Sequence, residues 1–209
     1  MGKPRKARRL TRAQNRNFRR ESLIEAAARV IARHDLPGAT VERICEEAGV
    51  SHGLLGHYFD SKEALLLVVC KGTFEGDLAI KRAIAADMSR SPLDRLLAMV
   101  ESTFLSPVYS PEGVAVWQAF LNASRSQETF RSAILDGAAG YREVFGSGLA
   151  AAADEVGVII NVERVALGLI ALIDGFWTGL STGKDNATPQ DAVAVCSTYL
   201  RACLHPDRA

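Results

Sequence analysis

Apolar residues recur at helical spacing along nearly the whole chain, and the pattern is sharpest between Thr40 and Lys62. There Val41, Ile44, Cys45 and Ala48 fall at i, i+3, i+4 and i+7, which is one face of a helix. Gly49 supplies the backbone freedom that a sharp turn needs. Ser51 stands where a second helix would be capped. Leu54, Leu55, Tyr58 and Phe59 give that helix an inner side, leaving His52, Gly53, Gly56 and His57 to face outward. Two short helices joined this way are either an ordinary helical hairpin or a helix-turn-helix, whose second helix enters the major groove of DNA.

The same periodicity predicts a first helix from about Arg19 to His34, with Leu23, Ile24, Ala27, Ala28, Val30 and Ile31 on its apolar side. Leu36-Pro37-Gly38 ends it, and Thr40 caps the next. Asp60-Ser61-Lys62-Glu63 reads as a capping box with Asp60 as the cap. It opens a connector helix from Lys62 to about Ala86, carrying Leu65, Leu66, Val69, Phe74 and Leu78. Ser91-Pro92, Ser106-Pro107 and Ser110-Pro111 break the middle, bounding one helix from Pro92 to Leu105 and starting another at Pro111. Later helices are expected over about 127–156, 161–180 and 189–204, the last with Pro189 in its first turn. No strand pattern interrupts them. The fold class is all-α with about nine helices: an arm over 1–18, a three-helix head over 19–65, and a larger helical bundle over 66–209.

Charge changes how the head is read. The net charge is only +1, yet Lys3, Arg5, Lys6, Arg8, Arg9, Arg12, Arg16, Arg19 and Arg20 precede the first acid, Glu21. The remainder is mildly acidic. A basic arm beside a helix-turn-helix suits a polyanion, either as a solvated tail or as an arm tracking phosphates and the minor groove. The N-terminus carries no apolar run of a secretory signal. The most apolar segment, Val165 to Leu180, is interrupted by Asp174 and three glycines and is expected to fall short of a membrane span. Cys45, Cys70, Cys196 and Cys203 have neither CxxC nor Cys/His ligand spacing. They read as reduced thiols of a cytoplasmic protein, without metal or cofactor. No His follows His57 until His205, so a Ser/His/Asp or Cys/His catalytic set has no base, and an enzyme is not expected.

Taken with these features, the chain resembles the TetR family of transcriptional regulators. The residues that carry the resemblance are Ala39-Thr40-Val41, Ile44, Ala48-Gly49-Val50-Ser51, Gly53, Leu55, His57-Tyr58-Phe59 and Ser61-Lys62-Glu63-Ala64-Leu65. Farther on, Val116-Trp117-Gln118-Ala119-Phe120 and Ala171-Leu172-Ile173-Asp174-Gly175-Phe176-Trp177 are similar to the BetI-type branch, repressors of choline-to-betaine genes. The resemblance implies a homodimer on a pseudo-palindromic operator, and a small-molecule effector that moves the connector helix. It places His52, Gly53, Leu54, Gly56 and His57 toward the groove, and makes Thr40, Tyr58 and Lys62 phosphate contacts, with Ser51 opening the recognition helix. Gly56 departs from the family, which usually has an aromatic or hydroxylated residue there.

The chemistry of these residues agrees with their implied roles. Hydroxyls and an ammonium reach phosphates, which fixes register without reading sequence. Imidazoles donate to purine N7 or O6, and a leucine meets a thymine methyl. In the C-terminal part, Asp174 lies within an apolar helix, where a buried carboxylate is costly unless partnered. With Trp117, Phe120, Trp177, Tyr141 and Phe104 it could complete an aromatic cage for a quaternary ammonium such as choline or betaine. It could equally hydrogen-bond a neighbouring helix. An apolar or other cationic effector remains the alternative within the fold, and a non-specific DNA-binding helical module the alternative outside it. The last two helices hold more apolar surface than one layer needs, pointing to a symmetric interface.

Overall fold

The computed structural model describes residues 12–182 and 186–205, which form nine α-helices and no strand. The chain divides into two compact units, with the boundary after Val69.

The first unit holds α1 (Arg12–Gly38), α2 (Val41–Ala48), α3 (His52–Tyr58) and the start of α4 (Lys62–Ala85). α1 begins at Arg12 rather than the expected Arg19. Arg and Gln are good helix formers, and extending an existing helix needs no apolar face. The rest of the basic arm lies outside the described residues. Near its other end α1 is kinked at Asp35, at φ 60° and ψ 174°, so Leu36-Pro37-Gly38 forms a turn set off from the straight helix. Leu23, Ala27, Val30 and Ile31 pack with Ile44, Cys45, Leu55, Phe59 and Leu65 in the core of the head. Each such large side chain stabilises the fold by about 1.5–3 kcal/mol. Glu47 of α2 is clamped by Arg29 Nε at 2.6 Å and by Arg33 at 2.5 Å, both from α1.

Caps decide the head's turns. Thr40 Oγ1 accepts from Arg43 N at 3.3 Å. Gly49 closes α2 at φ 65°, the left-handed region that favours glycine. Ser51 precedes α3 as expected, but its side chain makes no cap hydrogen bond. The α4 cap is Ser61, whose Oγ accepts from Ala64 N at 3.0 Å. Asp60 had been expected in that role; it stands one residue too early for a helix that starts at Lys62.

The second unit contains the remainder of α4, then α5 (Pro92–Thr103), α6 (Pro111–Ala123), α7 (Glu128–Val156), α8 (Val162–Thr182) and α9 (Pro189–Leu204). Ser91, Ser110 and Thr188 cap α5, α6 and α9, each followed by a proline in the first turn. Thr188 and Asp191 form a reciprocal capping box. Leu96, Met99, Val100, Phe145, Leu149, Leu169, Cys196 and Leu200 make the core. On α7 the sites of Gly137 and Gly140 are filled by Phe74 and Leu78 of α4, which an added methyl group would overlap. Burial pushes the thiols of Cys70 and Cys196 up to about 11, leaving them poor nucleophiles.

α8 departs from expectation. It runs 21 residues, to Thr182, with a mean hydropathy of 1.5, so by length and composition alone it could cross a membrane. Glycine lowers hydropathy little, and one aspartate does not offset the surrounding Leu, Ile and Val. Ala166, Leu169 and Ile173 bury one side in the bundle, whereas Leu167 is exposed.

Candidate functional site

The helical period sorts α3 into two faces. Leu55 is buried at the core, and Leu54 and Tyr58 are half-buried at the margin. His52, Gly53, Gly56 and His57 are exposed on one arc. The surface at Gly53 and Gly56 is open, with nothing within 4 Å of an added Cβ. The His57 and Tyr58 rings meet edge to face at 5.1 Å, which orients the imidazole beside the phenol. Around this arc stand Ser51, exposed, and Thr40 and Lys62, half-buried at the starts of α2 and α4. The hydroxyls and ammonium at the rim can hold phosphates, and the imidazoles on the arc can donate to base edges. Behind α3, the Arg20 guanidinium lies over the Phe59 ring at 5.1 Å.

In the second unit the expected aromatic residues do not form one cage: Trp117 and Trp177 meet, whereas Phe104, Phe120 and Tyr141 each pack on other partners. Trp177 meets Trp117 at 5.8 Å and Tyr109 at 6.1 Å, both edge to face. The Trp177 Nε1 donor is buried and has no partner among the described residues, a state that costs free energy unless an acceptor is supplied. Phe104 and Phe120 are only 1% exposed. Phe104 packs on Phe176, and Phe120 on Phe130.

Asp174 lies one turn before Trp177 on α8. It is not the sealed carboxylate the sequence suggested: it is exposed, yet desolvation by the surrounding protein still pushes its carboxyl up. Among the described residues no basic side chain pairs with it.

Tyr141 brings in residues that the sequence reading missed. Its hydroxyl donates to Asp77 Oδ2 at 2.7 Å. Lys81 Nζ, fully buried, lies 2.5 Å from Asp77 Oδ1, and 5.6 and 5.7 Å from the ring centres of Tyr141 and Phe145. Burial lowers the Lys81 pKa, and Asp77 opposes the shift. The Tyr141 hydroxyl is raised by burial, by the charge and hydrogen bond of Asp77, and by the nearby charge of Asp174. The available signal was position: Asp77 and Lys81 share the α4 stripe of Phe74 and Leu78, so this i, i+4 pair turns inward.

Comparison with known proteins matches both units. The model of the tetR family of bacterial regulatory proteins covers residues 23–69, and that of the BetI-type transcriptional repressor C-terminal part covers residues 92–205. The HTH-type transcriptional regulator BetI of Agrobacterium fabrum is 36% identical over 161 residues, 77% of this chain and 75% of its own length. A transcriptional regulator from Pseudomonas aeruginosa PAO1 superposes with a TM-score of 0.80 at 29% identity, over 92% of this chain and 94% of its own. One from Saccharomonospora viridis, solved in complex with choline, shares the fold at a TM-score of 0.78 and 21% identity, over 88% of this chain and 96% of its own. These relatives regulate transcription and are not enzymes. The chain belongs to the tetR family of bacterial regulatory proteins, and its C-terminal part is of the BetI type.

Proposed function

We propose that this regulator is a cytoplasmic, homodimeric repressor that occupies a pseudo-palindromic operator and is released by a small quaternary ammonium compound of the choline type. The observation that carries the effector reading is Asp174, a carboxylate without a counter-ion among the described residues, one turn before Trp177, whose ring meets those of Trp117 and Tyr109 edge to face. Ring faces attract a cation that cannot donate hydrogen bonds, and a carboxylate adds the Coulombic attraction. The unpartnered Trp177 Nε1 suits the oxygen of such a ligand. The Asp174 charge favours a neutral hydroxyl over a second carboxylate, hence choline over betaine. The choline complex of the Saccharomonospora viridis protein supports the same class of effector.

His52, Gly53, Leu54, Gly56 and His57 face the groove in this reading, with Thr40, Ser51, Tyr58 and Lys62 on the backbone. The exposed apolar residues Leu167 of α8 and Val195 of α9 fit a symmetric contact between two copies.

Three measurements test the proposal. His57→Ala with Tyr58→Ala should abolish preference for an operator selected from random duplexes; unchanged affinity removes the groove assignment. Choline should raise the melting temperature and release the operator; no response to choline or betaine leaves the apolar-effector alternative. Sedimentation should give a dimer at micromolar concentration, and a monomer refutes the interface. A salt-dependent shift on random DNA, with no gain on any palindrome, favours a non-specific binder.

A further inference from the structure

We propose that His52 and His57 read guanine as imidazolium ions, so that operator binding takes up protons and strengthens as pH falls; this rests on the reading of the exposed arc of α3 as the groove-facing surface.

The first support is what α3 lacks. His52–Tyr58 includes no arginine or lysine, the side chains that ordinarily pair with guanine O6 and N7. The exposed arc is His52, Gly53, Gly56 and His57, and a glycine presents nothing to a base edge. The two imidazoles are therefore the only hydrogen-bonding side chains on that arc. Their donor count depends on the proton: a neutral imidazole donates from one nitrogen and accepts at the other, whereas an imidazolium donates from both. The major-groove edge of guanine offers two acceptors, and that of adenine one acceptor and one donor. The protonated ring matches guanine, and it alone brings positive charge to α3.

The second support is what surrounds the two rings. α2 packs on α3 and sets Glu42 beside His52. The Glu42 carboxyl is held below its ordinary value by its own backbone N–H and the Thr40 hydroxyl, with His52 adding to them. It stays ionised throughout the range in which imidazoles titrate. Elsewhere on α2, Arg43 donates to Gly38 O at 2.9 Å, Glu47 is held by Arg29 and Arg33, and Glu46 is exposed. His57 meets the Tyr58 ring. Past α3, Asp60 and Glu63 are exposed and Lys62 is half-buried, while Arg20 of α1 lies over Phe59. None of these neighbours is a histidine, so the imidazoles of the arc are the groups whose charge changes near neutral pH. A polyanion favours the charged ring, and by reciprocity the charged ring favours the polyanion.

The experiment uses the full-length protein and an operator selected from random duplexes at about pH 6, with dissociation constants read by fluorescence anisotropy at fixed ionic strength. The wild type should bind about tenfold more tightly at about pH 6 than at about pH 8. A second selection at the higher pH should return half-sites poorer in guanine. His52→Gln with His57→Gln keeps neutral hydrogen-bonding groups at two exposed positions. This variant should lose the pH dependence and select adenine in place of guanine, because a glutamine amide pairs with adenine N6 and N7. Wild-type affinity that does not vary with pH, an equal slope in the double variant, or selected half-sites without guanine each overturns the inference; a changed half-site in the variant then leaves the groove reading intact. An unchanged half-site bound with unchanged affinity by the double variant overturns the groove reading and this inference together.

Discussion

Lys81 Nζ lies 2.5 Å from Asp77 Oδ1, one turn along the same helix, with neither side chain more than slightly exposed. A buried pair of this kind stabilises little against apolar replacements of the same volume, but breaking it strands a charge. Asp77→Asn should lower the free energy of unfolding by about 3–5 kcal/mol, and Asp77→Leu with Lys81→Met and Tyr141→Phe, which also removes the hydroxyl bonded to Asp77, should recover most of that loss. Urea denaturation of the two variants beside the wild type decides the matter; equal losses would contradict the argument.

Glu47 provides a pH-dependent contribution in the head. Its carboxyl is held below the ordinary value by the hydrogen bonds from Arg29 and Arg33. For an acid lowered in the folded state, the stabilisation is complete above the unfolded pKa of about 4.3 and is lost as pH falls through the folded value. Glu47→Gln should therefore melt lower than the wild type at neutral pH, by a small margin because water reaches the half-buried Glu47 and both arginines. The two melting curves should converge below about pH 4. A constant difference across the range would show that packing, not charge, is responsible.

Asp174 has the opposite sign. Its carboxyl is raised by desolvation, so ionisation is disfavoured in the folded protein. A cation binds the ionised form, which makes choline affinity fall as pH drops into that raised range, with proton release on binding there. Calorimetry in buffers of different ionisation enthalpy reads the proton. Asp174→Asn should weaken binding and flatten the pH dependence.

Gly56 is exposed inside a seven-residue helix, with open space around it. Gly56→Ala should stabilise the head by roughly 0.5–1 kcal/mol, from helix propensity alone. Thermal unfolding tests this, and a loss would mean the position is less open than the structure places it.

Helix positions were legible wherever a cap and an apolar period coincide, as at Ser91-Pro92, Ser110-Pro111 and Thr188-Pro189. The outward arc of α3 was legible for the same reason: a 3.6-residue period divides His52 and His57 from Leu55. The start of α1 was not, because Arg12 to Phe18 extend a helix without an apolar face. Asp60 and Ser61 are both good caps, and a shift of one residue leaves the pattern unchanged. The inward turn of Asp77 and Lys81 was signalled only by their place in the stripe of Phe74 and Leu78, and their partners were hidden by distance along the chain. An acid and a base four apart usually mark a solvated face, and only Tyr141 and Phe145, on α7, turn this pair into an interior one. The meeting of Tyr109 with Trp177 is non-local in the same way.

The ring of Phe74 occupies the place a side chain at residue 137 would need. Size at these two positions is thus a single shared quantity: Gly137→Ala alone crowds the interlock, and Phe74→Leu alone loosens it. Combined, each should repair part of the other's damage, so the pair behaves as one unit of inheritance split across two helices.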